Sequence, residues 1–217
     1  MEPLRLYDYG ASANCYKVRL LLAQLARPYE RTPIDIFGGE TLTDEYYEKN
    51  PARSTPVLQI GDSTYLQESN AILFYLAQET PFLPDEPLLR AQVVRWLIVE
   101  QTDVMPMLGG LRFRLVTGRL RPDDPEAVRR REGGEEVLAL LDGHLRAHDF
   151  LVGDRYTVAD VANYAYTHVA PEAGYDLAAY PAVAEWVRRV ERQPRFVNDL
   201  EPYPENARAG AGRSLYG

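Results

Sequence analysis

Two short segments of the chain combine residue types that could hold a peptide. Thr55 and Pro56 stand directly before an apolar run, 57–60, and Glu68 and Ser69 follow a few residues later. Proline cannot donate a backbone hydrogen bond to a sheet, so Pro56 is expected at the start of a strand, at an edge or at a bulge. A strand edge can pair with an extended peptide, and a helix N-terminus can bind a carboxylate. The pattern predicts one site with two kinds of contact to a short peptide.

The chain up to residue 78 alternates strand-like and helix-like segments, judged from the spacing of its apolar residues. Such alternation favours a sheet with helices packed on its faces. The predicted strands are Leu4–Tyr7, Tyr29–Ile36, Val57–Ile60 and Thr64–Leu66, and the predicted helices are Tyr16–Ala26, Leu42–Lys49 and a third that begins near Glu68–Ser69 and runs to Gln78.

A stretch with three prolines, 79–87, separates this part from a second one in which every segment has helical spacing. Pro106 lies inside the first of these helices, which it should kink or break because proline lacks a backbone N–H. The predicted helices are 88–119, 126–148 and 181–193. The sequence therefore predicts an α/β domain over 1–78, a linker over 79–87, and an all-helical domain over 88–217 that ends in an extended tail.

Composition excludes several classes of function. The net charge of −8 over 217 residues argues against a nucleic-acid or membrane partner. A single cysteine, Cys15, rules out an internal disulfide and is typical of a reducing compartment. His144 and His148 could share a helix face, but no third ligand accompanies them, so we interpret them as a solvated face and expect no metal. With no signal peptide and no membrane-spanning run, the chain is predicted to be cytoplasmic.

Four short motifs follow one another along the chain. Each alone is common, but their combination and spacing are specific. The first precedes a helix, the second introduces a strand, the third opens a helix, and the fourth is a capping box, in which a hydroxyl and a carboxylate satisfy the first N–H groups of a helix. They are Ser12–x–Asn14, Asn50–Pro51–x–x–x–Thr55–Pro56–Val57–Leu58, Glu68–Ser69–Asn70–Ala71–Ile72, and Thr157–x–x–Asp160.

With these motifs, nearly the whole chain resembles a cytosolic glutathione transferase and is similar to the bacterial Nu class, with serine in place of threonine. The resemblance implies a thioredoxin-like N-terminal domain of βαβαββα order, an all-helical C-terminal domain and a homodimer. It also implies glutathione as the co-substrate, and a small apolar electrophile or a disulfide as the second substrate.

The resemblance also implies the contacts with glutathione. Pro56 should be cis, and the backbone of Thr55 should pair with the cysteinyl part of the peptide. Glu68 should meet the γ-glutamyl ammonium, and Ser69 the neighbouring carboxylate. Taken alone, Ser69 could be a plain N-cap and Glu68 an acid favoured by the helix dipole. Arg53 either reaches the glycine carboxylate or is simply solvated.

Ser12 is the predicted catalytic residue, because related classes place a hydroxyl or thiol five residues before a basic residue, here Lys17. A thiol with a pKa near 8.5 is mostly protonated at neutral pH. A hydroxyl donor and the positive end of a helix together favour the thiolate. Asn14 could donate to the sulfur or orient it. The alternative is that Ser12 only caps or turns the chain.

Cys15 bears on the choice between reactions. It shares a helical face with Val18 and Leu22, which is the pattern of a buried core thiol, although an exposed thiol there would have a lowered pKa and could be redox-active. We therefore predict a transferase that directs glutathione at an electrophile. The alternatives are a glutathione-dependent disulfide or peroxide reductase, and a non-catalytic interaction module of the same fold.

Overall fold

The first part of the chain forms a four-stranded mixed sheet in a computed structural model that describes residues 3–215. The strands are β1 (Leu4–Asp8), β2 (Glu30–Pro33), β3 (Val57–Ile60) and β4 (Thr64–Leu66), in the order β2-β1-β3-β4. β1 runs parallel to β2 and antiparallel to β3, and β3 runs antiparallel to β4. The parallel pair needs a crossover connection, which a helix supplies.

Three helices accompany this sheet: α1 (Ala13–Gln24), α2 (Asp44–Lys49) and α3 (Ser69–Leu76). α1 is the crossover between β1 and β2, and it packs against α3. It begins three residues before the predicted start at Tyr16, because Ser12 caps it there. The predicted βαβαββα order and the α/β class are confirmed.

A second unit, Ala77–Phe196, is helical and includes the predicted linker 79–87. Its core contains the fully buried side chains of Trp96, Tyr164 and Trp186. Within residues 3–215, no helix combines the length and apolar character needed to cross a bilayer. The helices of this unit are α4 (Pro87–Val99), α5 (Gly110–Val116), α6 (Pro125–Leu145), α7 (Val158–Thr167) and α8 (Pro181–Glu191).

Pro106 neither breaks nor ends its helix. The segment Glu100–Gly109, which joins α4 to α5, is a π-helix with Pro106 inside it. Proline lacks an N–H and clashes with the carbonyl four residues earlier in an α-helix. The π-helix is rare and has a wider turn, with bonds between residues five apart, and here it replaces the α-helical turn around Pro106.

The tail corrects the predicted domain boundaries. From Val197 onward the chain belongs to the sheet-containing unit and not to the helical one. The hydroxyl of Tyr16 in α1 donates to the carbonyl of Val197 over 2.8 Å. The N–H of Arg213 donates to the carbonyl of Phe37 over 2.7 Å. The prediction of a single domain over 88–217 followed sequence order, whereas the chain returns to its first unit after α8.

Candidate functional site

Ser12 caps α1. Its backbone is extended, with φ −82° and ψ 121°, and its Oγ accepts a long hydrogen bond of 3.4 Å from the N–H of Cys15. The residue is half-buried, and the first turn of α1 contains no acidic residue. The positive end of the helix is therefore not neutralised locally. Oγ thus accepts in the cap, and the Ser12 side chain also hydrogen-bonds to the Cys15 thiol, so donation to a ligand would replace that second contact.

Cys15 is fully buried in α1. Its sulfur accepts a hydrogen bond from the N–H of Tyr9 over 3.3 Å. Burial raises the pKa of the Cys15 thiol to about 12, with a further increase from the charge of Asp8; hydrogen bonds from Thr55, Tyr9 and Ser12 oppose this. The thiol is therefore protonated at neutral pH, and the prediction of a buried core thiol is confirmed.

Two hydrogen bonds join the start of α1 to the start of α3. The hydroxyl of Ser69 donates to Oδ1 of Asn14 over 3.0 Å, and the ammonium of Lys17 donates to Oδ1 of Asn70 over 2.8 Å. Ser69 and Lys17 are both buried. The predicted contact of the Ser69 hydroxyl with a ligand thus competes with an existing bond to Asn14. The backbone N–H groups of the first turn of α3 have no partner within the helix and can still face a ligand.

The loop before β3 contains the predicted cis bond, Thr55–Pro56. Its organiser is Asn50, which is buried. The Asn50 amide donates to the carbonyl of Ser54 over 2.8 Å, and its Oδ1 accepts from the N–H of Ala52 over 3.0 Å. The Asn–Pro pair at the start of the loop was the signal for this role. These bonds fix the half-buried Thr55 ahead of the strand.

Arg53 has contacts that neither predicted interpretation described. Its Nη1 donates to the carbonyls of Thr41 and Thr43, over 3.1 and 3.0 Å. The guanidinium therefore holds the segment before α2 against the loop. Glu40, on the same segment, accepts the N–H of Asp35 over 2.6 Å and is turned toward the chain following β2.

Glu68 lies just ahead of α3 with a positive φ of 65° and an exposed side chain. Tyr7 on β1 pairs with Val57 on β3, so the Thr55–Pro56 bond lies beside the end of β1 that leads to Ser12. The structure thus places the loop, the start of α1 and the start of α3 in one region of the sheet-containing unit.

The two histidines do not share a helix face, because α6 ends at Leu145 and His148 lies beyond it. His144 contacts the carbonyl of Leu151 through Nε2 over 3.1 Å, and His148 contacts the carboxylate of Asp154 through Nδ1 over 2.9 Å. Their rings stack with centroids 4.6 Å apart. Over the part of the chain that the structure describes, no cluster of three or more His, Cys, Asp or Glu residues could hold a metal ion.

Two family models match the chain: "Glutathione S-transferase, N-terminal domain" over residues 2–78 and "Glutathione S-transferase, C-terminal domain" over residues 98–194. The chain is 30% identical to glutathione S-transferase 3 of Zea mays, with 94% of this chain and 96% of the relative covered. It is also 28% identical to elongation factor 1-gamma of Artemia salina over 78% of its own residues, but spans only 40% of that protein.

Solved structures give the same result. A glutathione S-transferase from Pseudomonas fluorescens Pf-5 is 42% identical, with a TM-score of 0.88, and the match covers 91% of this chain and 99% of that one. A glutathione transferase family member from the same organism, crystallised with two glutathione bound, is 25% identical with a TM-score of 0.80, over 89% of this chain and 90% of that one.

Proposed function

Because the chain belongs to the glutathione S-transferase family, we propose that it binds glutathione at the loop before β3 and activates its thiol for attack on a small apolar electrophile. The observation that carries this proposal is the meeting of three segments in one region: the loop before β3, the Ser12 end of α1 and the start of α3. The glutathione found in the Pseudomonas fluorescens relative supports the same co-substrate here.

The grip on the peptide has two parts. The free N–H and C=O of Thr55 pair with the cysteinyl part, as a strand edge pairs with an extended chain. The γ-glutamyl end lies at the start of α3, where the exposed carboxylate of Glu68 meets the ammonium. The carboxylate of the ligand meets the first N–H groups of α3 and the Ser69 hydroxyl, which then exchanges its bond to Asn14 for one to the ligand. Arg53 binds the glycine carboxylate of the peptide through guanidinium N–H groups that do not contact the carbonyls of Thr41 and Thr43.

The chemistry is stabilisation of a thiolate. Ser12 donates its hydroxyl hydrogen to the sulfur, and the N-terminus of α1 adds a favourable dipole. A hydrogen bond to a charged group contributes about 1.5–3 kcal/mol, which corresponds to a fall of about one to two units in the thiol pKa. Asn14 lies in the first turn of α1 and orients the sulfur. The thiolate then forms a bond to the electrophilic carbon as the leaving group departs with its electron pair.

The assembly we propose is a homodimer in the cytoplasm. On α4, Val94 and Ile98 stand one turn apart with side chains that are 39% and 56% exposed. Such apolar residues on one helix face suit a contact with a second copy. Light scattering of the purified chain, compared with an Ile98→Glu variant, tests this, because a charge on that face should shift the mass toward that of the monomer.

The test of the function is a comparison of binding and turnover. The parent should bind glutathione in calorimetry and conjugate it to chlorodinitrobenzene. Ser12→Ala should bind with little change and lose about eight- to 25-fold in turnover at neutral pH, since its thiol pKa rises by about one to two units to about 8.5. Ser63→Ala, on the exposed β3–β4 turn, is the matched control and should behave as the parent. Equal turnover in Ser12→Ala would contradict the catalytic assignment.

A Cys15→Ala variant separates conjugation from thiol–disulfide chemistry. Since the Cys15 thiol is buried with a pKa of about 12, its removal should leave conjugation within twofold of the parent. A panel of disulfides and peroxides shows whether reduction exceeds conjugation. Failure of the parent to bind glutathione at all would favour the interaction module suggested by the elongation-factor match.

A further inference from the structure

The C-terminal tail carries two acidic residues into contact with buried charges next to the start of α1. Asp8, at the end of β1, and Arg19, in α1, have side chains that are 0% and 1% exposed, and they form an ion pair of 2.6 Å. Arg19 also binds the carboxylate of Asp199 in the tail through Nε, at 3.0 Å to both oxygens. A buried arginine whose donors are divided among several acceptors is rigidly held.

A second arginine repeats this arrangement at the surface. Arg31 on β2 donates to the other carboxylate oxygen of Asp8 and binds Glu201 in the tail over 2.9 Å. The cluster thus contains two arginines from the sheet unit and one buried carboxylate, closed on the tail side by Asp199 and Glu201. Removing the tail carboxylates would leave the Arg19 and Arg31 guanidinium groups partly without acceptors.

The cluster is bonded to the turn that presents Ser12. The carbonyl of Gly10 accepts Nη2 of Arg19 over 3.2 Å and the N–H of Glu201 over 3.1 Å. Within the same turn, the N–H of Ser12 donates to the carbonyl of Tyr9 over 2.9 Å. The backbone two residues before Ser12 is therefore fixed from one side by Arg19 and from the other by the tail.

Tyr9, in the same turn, lies close to the tail. Its side chain is buried, and its hydroxyl has no hydrogen-bond partner among residues 3–215. Burial raises the pKa of its hydroxyl, and Tyr203 and Glu201 of the tail, together with Asp35, raise it further. The turn 9–12 is thus enclosed on the side where the tail runs.

From these contacts we propose that Arg19 is a positioning residue for Ser12 and that the tail, through Asp199 and Glu201, completes the positioning. The inference rests on the proposed function, because it assigns the turn a role in holding the Ser12 hydroxyl against the glutathione sulfur. The hydroxyl position sets the thiol pKa. The grip residues lie elsewhere, Thr55 and Glu68 in other loops and Ser69 at the start of α3, so attachment of the tail acts on thiolate formation rather than on affinity.

The test is the full-length double variant Asp199→Ala, Glu201→Ala. Its apparent pKa of the bound glutathione thiol, from the pH profile of kcat/KM and from thiolate absorbance, should rise by about half a unit to one unit. This corresponds to about three- to tenfold less thiolate at neutral pH. The dissociation constant for glutathione should stay within twofold. The single variant Asp199→Glu, which keeps a carboxylate at this position, should have most of the kcat/KM of the parent.

The matched control is Glu205→Gln. Glu205 is also a tail carboxylate, but its ion pair is with Arg208 of the tail itself, at 3.0 Å. This variant should keep the thiol pKa and kcat/KM of the parent. An unchanged thiol pKa in the folded double variant would overturn the proposal, as would a loss of activity that is matched in size by a loss of folded protein. A parent that binds no glutathione would instead contradict the proposed function.

Discussion

Among the helices that begin with a serine or threonine N-cap, α1 and α7 have starts that differ in almost every other respect. At α7, Thr157 is fully buried and forms a capping box with Asp160. At α1, Ser12 is half-buried, accepts one long hydrogen bond, and has no acidic residue in the helical turn that follows. At the start of α7 the Thr157 hydroxyl and the Asp160 carboxylate are both used in hydrogen bonds within the protein, so this helix start is structural. The α1 start keeps its positive end, and the Ser12 hydroxyl can exchange its contact with the Cys15 thiol for one with a bound thiol, which is what the activation of that thiol needs.

The strongest test of this contrast removes the carboxylate of the capping box. Asp160 accepts hydrogen bonds from the N–H of Leu151, the N–H and hydroxyl of Thr157, and Nε1 of Trp186, over 2.9–3.2 Å. Asp160→Ala leaves three buried N–H donors without that acceptor, at about 1–3 kcal/mol each. We expect a loss of about 3 kcal/mol or more in the free energy of unfolding by urea. Asp160→Asn, which keeps one acceptor oxygen, should lose less, and equal losses would show that the network is not the cause.

Lowering the pH tests the same helical unit through His168 and Asp160, whose pKa shifts have opposite effects on the free energy of unfolding. Burial, with a smaller effect from Arg112, lowers the pKa of His168 from 6.5 to about 4. The folded state thus disfavours the charged ring, and stability that is complete above pH 6.5 is lost as the pH falls to about 4. Burial raises the pKa of Asp160 from 3.8 to about 6, so its protonation below pH 6 favours the folded state and stability increases as the pH falls to about 4.

In the parent these two effects largely offset each other between pH 6 and pH 4. In His168→Gln only the Asp160 effect remains. The unfolding free energy of this variant relative to the parent should therefore increase by about 2 to 3 kcal/mol between pH 6.5 and pH 4. Urea unfolding at a series of pH values measures it. A difference that stays constant with pH would mean that folding does not lower the pKa of His168.

Around α1, two buried tyrosines provide a smaller test. The hydroxyl of Tyr16 donates to the carbonyl of Val197, whereas that of Tyr9 has no partner among the described residues. Tyr16→Phe should destabilise the protein by about 1 kcal/mol because it leaves a carbonyl unpaired. Tyr9→Phe should be neutral or slightly stabilising, since it removes a buried hydroxyl that forms no hydrogen bond with the described residues. Urea unfolding of the two variants side by side decides, and a larger loss for Tyr9→Phe would reveal a partner for its hydroxyl.

The contrast between the two helix starts also explains which features the sequence could predict. The capping box of α7 is local, so the spacing of Thr157 and Asp160 was sufficient to predict it. The strands Val57–Ile60 and Thr64–Leu66 were predicted with their observed bounds, because a proline and a tight turn delimit them. Family resemblance supplied the cis bond at Pro56, which no local pattern requires.

What could not be predicted depends on contacts between distant segments. The hydroxyl of Ser69 bonds to Asn14, 55 residues earlier, and Asp199 binds Arg19, 180 residues earlier. Neither partner can be inferred from spacing along one helix or strand. The assignment of the tail to the helical domain failed for the same reason. The contacts of Arg53 could not be predicted for a different reason. Its partners are the backbone carbonyls of Thr41 and Thr43, and a backbone carbonyl is present whatever the side chain.

The smallest predicted effect is the most direct comparison of the two caps. Replacing an N-cap residue with alanine costs about 0.5–2 kcal/mol. Thr157→Ala should fall in the upper half of this range, because its hydroxyl is buried and its partner Asp160 would lose one donor. Ser12→Ala should cost about 0.5 kcal/mol, because the bond of 3.4 Å that it removes is long. Urea unfolding at neutral pH measures both. If Ser12→Ala destabilises the protein as much as Thr157→Ala, the α1 cap is structural after all, and the loss of turnover expected for that variant could no longer be ascribed to the thiolate.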